Sequence, residues 1–209
     1  MKRFIGVYDY TVVLTYLSLA AALAGIILAA RGLFAAAVAC VLLSGFLDAF
    51  DGAVARTKKD RTEDEKSFGI QLDSICDVIA FGVTPAMICY FSGVDGWVGI
   101  ALIFLYVLGA LIRLAFFNVL EIKRQQKEGG KTKYYRGLPV TSICIILPII
   151  YITKGFLTPE VFVSLLHLML LVVSILFVLD FKIKKPNFDA LLPKRGEQEE
   201  NAGPNPKNS

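Results

Sequence analysis

The chain reads as an all-α, polytopic integral membrane protein with six transmembrane helices, and three observations point there. Of its 209 residues 56% are hydrophobic, its mean hydropathy is +0.61, and its apolar residues gather into long runs. A helix crosses a bilayer core of about 30 Å at 1.5 Å per residue. Residues 10–30, 33–55, 68–92, 97–120, 138–154 and 160–181 have that length and composition. A soluble domain of this length would be far less apolar.

The first run follows the basic start Met1-Lys2-Arg3, as a secretory leader would. It is of full spanning length and a second run follows at once, so an uncleaved first helix is expected. Between the second and third runs lie Arg56, Lys58, Lys59, Arg61 and Lys66; between the fourth and fifth lie Lys123, Arg124, Lys127, Lys131, Lys133 and Arg136. With six crossings these two loops share a side with the N-terminus and with Lys182, Lys184, Lys185, Lys194 and Arg195. The opposite connections hold only Arg31 and Lys154. The positive-inside rule therefore places both termini in the cytoplasm, where the same cations attract anionic lipid headgroups. Residues 1–185 are expected to form one helical membrane domain. Residues 186–209, rich in Glu, Asn, Gly, Pro and Lys, lack apolar periodicity and are expected to be a flexible cytoplasmic tail.

Some chemistries are disfavoured at once. Cys40, Cys76, Cys89 and Cys144 are scattered through apolar runs with no C-x-x-C pair, which indicates neither a zinc site nor a disulfide framework. His167 stands alone between Leu166 and Leu168 and is expected to pack or bond locally. The formal charge of +4 is spent on orientation, and no nucleic-acid partner is expected.

Four aspartates break the apolar pattern: Asp48 and Asp51 in the second run, Asp73 and Asp77 in the third. An Asp at the centre of a membrane helix costs roughly 2.5–3.5 kcal/mol on insertion scales. On a helix, Asp48, Asp51, Gly52 and Ala55 share one face, as do Gly69, Asp73 and Asp77, and the two faces can oppose each other near the cytoplasmic side. Arg56 is the cation inside the motif, so the carboxylates call for one or two divalent ions, and hard oxygen ligands suit Mg²⁺ or Mn²⁺. Such a site implies a diphosphate ligand. Gly52 and Gly69 let it approach the backbone, and Arg56 offers a planar fork for phosphate. Helix packing alone explains small residues but no carboxylate.

These residues, D-x-x-D-G-x-x-A-R and then G-x-x-x-D-x-x-x-D, resemble the signature of the CDP-alcohol phosphotransferase (phosphatidyltransferase) family. The resemblance implies that Asp48, Asp51, Asp73 and Asp77 hold one or two Mg²⁺ or Mn²⁺ ions and that Asp77 is also the general base. Asp48, Gly52, Ala55, Arg56 and Gly69 would bind the CDP-lipid, and a homodimer is implied. The spacer from Thr57 to Phe68 is longer than the family commonly shows. The stretches FGIQLDSICDVIAFGVTPA at 68–86 and RGLPVTS at 136–142 are similar to membrane-integral phosphatidylserine synthases of prokaryotes, although Phe116 stands where those enzymes often carry a second arginine after Arg113. This implies a cell-membrane enzyme that takes CDP-diacylglycerol and L-serine, makes phosphatidylserine and releases CMP, with its site open to the cytoplasm. Arg113, Lys133 and Arg136 are candidates for the acceptor carboxylate; Arg113 could instead pair with an aspartate, and the loop cations could serve orientation alone. Transfer to glycerol 3-phosphate or an inositol phosphate, or from an archaeal ether lipid, is the neighbouring alternative. A divalent-cation transporter is the alternative of another class; it would want polar groups continuing into the outer half, where Ala, Leu, Ile and Val dominate.

Overall fold

The computed structural model describes residues 6, 8–55, 57, 58, 60, 62–126 and 134–184. The expected tail, and Arg56 and Lys133 among the site residues, lie outside them. A 3₁₀ turn at Tyr10–Val12 leads into α1 (Val13–Ala30); α2 (Phe34–Ala55) returns beside it. Next come α3 (Glu63–Asp77), a π-helical turn (Val78–Val83) and α4 (Thr84–Phe91), which form one run. After α5 (Trp97–Gln126) follow strand β1 (Tyr134–Arg136), α6 (Ile143–Ile152), α7 (Pro159–Val178) and strand β2 (Lys182–Lys184).

The helical expectation holds, with two differences. Among the described residues five helical segments are long and apolar enough to cross a membrane: Tyr10–Ala30, Phe34–Val54, Glu63–Phe91, Trp97–Leu120 and Pro159–Val178. The run expected at 138–154 is helical but shorter, over Val140–Gly155, with 3₁₀ turns on both sides of α6. Pro139 precedes the first turn, and Pro148 removes a backbone donor inside α6. The second difference is a two-stranded antiparallel ribbon in which Tyr134 pairs with Lys184 and Arg136 with Lys182. Its short, polar strands carry no apolar alternation that would announce them.

The third helix begins at Glu63, before its apolar run, because Thr62 supplies a capping box. Glu65 N–H donates to Thr62 Oγ1 at 3.2 Å, and Thr62 N–H donates to Glu65 Oε2 at 2.9 Å, which satisfies donors that a helix start leaves orphaned. Glu63, Asp64 and Glu65 in the first turn also suit the positive end of the helix dipole. This cap sets where Gly69, Asp73 and Asp77 stand.

Small residues bring α1 and α2 together. Ser18 Oγ donates to the Ser44 carbonyl at 3.3 Å and Ser44 Oγ to the Ser18 carbonyl at 3.0 Å, and a Cβ on Gly25 would lie 3.2 Å from Cys40 Cβ and 3.3 Å from Thr84 Cγ2. Close approach of backbones is the usual basis of helix association where lipid is as apolar as the side chains. Deeper in, Phe81, Tyr106, Ala110, Ile143 and Leu170 are fully buried and join the π turn to α5, α6 and α7. Cys76 and Cys89 are buried free thiols, and His167 Nδ1 lies 2.8 Å from the Val163 carbonyl, the local bond expected for it.

The π turn has an identifiable cause. Pro85 has no N–H, so the Phe81 carbonyl four residues earlier cannot receive its helical bond. The buried Tyr106 hydroxyl donates to that oxygen instead, at 2.6 Å, and Thr84 Oγ1 donates to the Ile79 carbonyl at 2.9 Å. Tyr106→Phe strips a buried carbonyl of its partner and is expected to destabilise the protein by about 1–3 kcal/mol, read as a lower midpoint of thermal unfolding in detergent; an unchanged midpoint would contradict this account of the turn.

Candidate active site

Asp48, Asp51, Gly52 and Ala55 occupy one face of α2, and Gly69, Asp73 and Asp77 one face of α3, as their spacing requires. Tertiary packing sets these faces against each other. One carboxylate oxygen each from Asp48, Asp73 and Asp77 lies within 4.8 Å of the others. Asp51, the fourth of the expected quartet, lies beside the trio against Asp73, only 9% exposed, and it accepts a hydrogen bond from Thr15 Oγ1 of α1 at 3.1 Å.

The arrangement fits a divalent cation. Asp73 Oδ1 is buried and has no hydrogen-bond partner, a costly state for a carboxylate oxygen unless a cation meets it. Three all-oxygen ligands on two helices are the donor set that Mg²⁺ or Mn²⁺ takes, leaving positions for phosphate and water. Beside the trio opens a cavity of about 140 Å³, lined by Thr11, Thr15, Asp51, Gly52, Lys66, Gly69 and Asp73 among others. A Cβ placed on Gly52 would meet nothing within 4 Å, so that glycine keeps ligand space open and is not a helix contact.

The N-terminal segment closes one wall. Tyr10 OH and Thr57 Oγ1 are 3.2 Å apart, and Lys58 Nζ bonds Asp9 and also Glu65, the latter at 3.4 Å. Bonded to Lys58, the Asp9 carboxyl sits below the usual carboxylate range, and the same bond raises the Lys58 ammonium. On the other flank Ser74 Oγ donates to Asn118 Oδ1 at 2.8 Å, which fixes α3 to α5 one residue past Asp73.

The acceptor candidates lie elsewhere or outside the described residues. Arg113 is 7% exposed; its Nη1 donates to the Phe177 carbonyl at 3.4 Å and its guanidinium lies 4.6 Å from the centre of the Phe117 ring. It lines a separate cavity of about 250 Å³ with Phe116, Leu179 and Asp180. Gly137, in a left-handed conformation at φ +66°, passes so close that a Cβ would fall 2.6 Å from Arg113 Nη1 and 2.7 Å from the Leu179 carbonyl. The Gly-Leu-Pro element is therefore packed against Arg113. Arg136 has its backbone in β1, and Ala55 ends α2. Sequence reasoning missed Thr15, Lys66, Asn118 and Tyr106. The first had a signal in Thr11 and Thr15, hydroxyls one turn apart at the start of an apolar run; partners for the others come from distant segments.

The sequence model of the CDP-alcohol phosphatidyltransferase family matches residues 11–180. A CDP-diacylglycerol–serine O-phosphatidyltransferase of Saccharomyces cerevisiae is 34% identical over 120 residues, which are 56% of this chain and 42% of that protein. An archaetidylserine synthase of Methanothermobacter thermautotrophicus is 37% identical over 132 residues, 63% of this chain and 52% of the relative. A CDP-diacylglycerol–serine O-phosphatidyltransferase of Helicobacter pylori is 34% identical over 157 residues, 71% of this chain and 59% of the relative. The chain thus spans about half the length of these relatives. No solved structure matches it. The family match takes in both aspartate-bearing helices and every helix from α1 to α7, and the chain belongs to the CDP-alcohol phosphatidyltransferase family.

Proposed function

We propose that the chain transfers a phosphatidyl group from CDP-diacylglycerol to the hydroxyl of L-serine and releases CMP, making phosphatidylserine. The observation that carries this reading is the convergence of Asp48, Asp73 and Asp77 oxygens within 4.8 Å, beside a cavity that Gly52 leaves open. Relatives named for serine transfer at 33–37% identity support the choice of acceptor.

Asp48, Asp73 and Asp77, with Asp51 alongside, would hold Mg²⁺ or Mn²⁺. When bound, such a cation neutralises charge on the phosphoryl oxygens and on the departing CMP. Asp51, oriented by Thr15, lies along the cavity with Gly52 and Gly69, where the nucleotide and its diphosphate fit. Arg56, one residue past α2, supports the phosphates. Asp77 accepts the proton of the serine hydroxyl as its oxygen bonds to the lipid-side phosphorus and the bond to CMP breaks. Arg113, which lines the separate cavity, and Arg136 and Lys133, on the segment that leads to Gly137, are the candidate cations for the serine carboxylate. The orientation follows from the basic loops: six crossings, both termini and the site on the cytoplasmic face of a prokaryotic cell membrane, as a homodimer, with residues 1–185 as the membrane domain.

The reading is tested with purified protein, CDP-diacylglycerol, Mn²⁺ or Mg²⁺, and each of serine, glycerol 3-phosphate and inositol phosphate, following CMP. Serine should support release; release only with another alcohol rejects the serine assignment. Asp77→Asn is expected to lower turnover by about 10²–10⁴-fold with donor binding largely kept, whereas Asp51→Asn should weaken metal and nucleotide binding together; wild-type rates in either variant would refute these roles. Chelation should abolish CMP release, and Mn²⁺ or Mg²⁺ should restore it, while flux of divalent ions into liposomes without nucleotide chemistry would favour a transporter.

A further inference from the structure

Lys66, Gly69 and Asp73 follow one another along a single face of α3, at helical steps of three and four residues. Only the last two belong to the motif. Lys66 nonetheless lines the same cavity as Asp51, Gly52 and Asp73, and it is the one cation lining that cavity among the described residues. From Lys66 to Asp73 the helix rises by about 10 Å. The cavity therefore has carboxylates at one end and the Lys66 side chain at the other.

In this state the Lys66 ammonium is 2.7 Å from Glu63 Oε1, one turn back, with side chains 45% and 82% exposed. Ion pairs of this kind are weak in water, and a flexible four-carbon stem lets the ammonium turn elsewhere. A phosphate anion in the cavity offers more charge and more acceptors than one solvated carboxylate. The carboxylate end, when it holds a cation, fixes one part of a diphosphate; the opposite end needs a positive group within reach, and Lys66 is there.

We propose that Lys66 is a further donor-binding residue, moving from Glu63 to the nucleotide-side phosphate of the CDP-lipid when the cavity fills. This rests on the phosphatidyltransferase reading for the identity of the ligand. Glu63 is then an internal rival of the ligand, so removing its charge improves binding while removing the lysine weakens it. A merely structural surface pair would not give opposite signs.

The test measures the dissociation constant for CDP-diacylglycerol in nanodiscs with Mn²⁺ and without serine, alongside KM for each substrate, kcat and the thermal midpoint. Lys66→Ala is expected to raise the donor dissociation constant by about tenfold or more, the scale of one charged hydrogen bond, with serine KM and midpoint unchanged. Lys66→Arg should bind the donor nearly as the wild type does, and Glu63→Gln should bind it more tightly. Equal donor binding by Lys66→Ala and wild type overturns the proposal. So does a defect confined to serine KM, which would place the serine carboxylate at Lys66, or Glu63→Gln weakening donor binding as Lys66→Ala does. A wild-type protein that binds the donor but releases no CMP with serine rejects the serine assignment and leaves the role of Lys66 standing; one that does not bind the donor rejects both.

Discussion

Carboxylates crowded inside an apolar bundle are the constraint around which this protein is built. Desolvation and mutual repulsion both oppose bringing Asp48, Asp73 and Asp77 to within 4.8 Å, and Asp73 Oδ1 has no protein partner at all. Packing by itself cannot hold such a group together, because every surrounding apolar contact would be available without the charges. A ligand that brings positive charge can, so the same arrangement that costs folding energy creates affinity for a divalent cation. Glycine at position 52 and the hydroxyl of Thr15 are consistent with that purpose: one leaves room and the other orients a neighbouring carboxylate.

Rigidity around the trio comes from backbone bookkeeping on the third helical run. The capping box at Thr62 fixes where α3 starts, and the Ser74 to Asn118 bond fixes its middle. The π turn then begins at Val78, directly after Asp77. Such turns are frequent at functional sites, and in this one Tyr106 serves the Phe81 carbonyl that Pro85 leaves without its helical partner. A helix that presents Asp73 and Asp77 thereby changes winding directly beyond them.

Several described residues of the charged connection between α2 and α3, and of the first turn of α3, are engaged. Thr57 meets Tyr10, Lys58 meets Asp9 and Glu65, and Lys66 meets Glu63 and lines the cavity. The segment before α1 is thereby bound to the segment before α3, and Thr11 and Val12 line the cavity together with residues of α3.

By itself the sequence determined the helical membrane class, because spanning length and apolar content are properties of contiguous residues that need no partner. It also determined which aspartates share a face, because the helical period places i, i+3 and i+4 together whatever surrounds them. Tertiary structure alone decided that Asp48 meets Asp73 and Asp77 and that Asp51 lies between Asp73 and Thr15, since closeness across two helices depends on how they cross and rotate. It decided likewise that Tyr134–Arg136 pairs with Lys182–Lys184 and that Arg113 packs against Gly137 and Phe177. Each of these joins residues far apart in the chain, and no local period encodes a contact whose second half lies on another element.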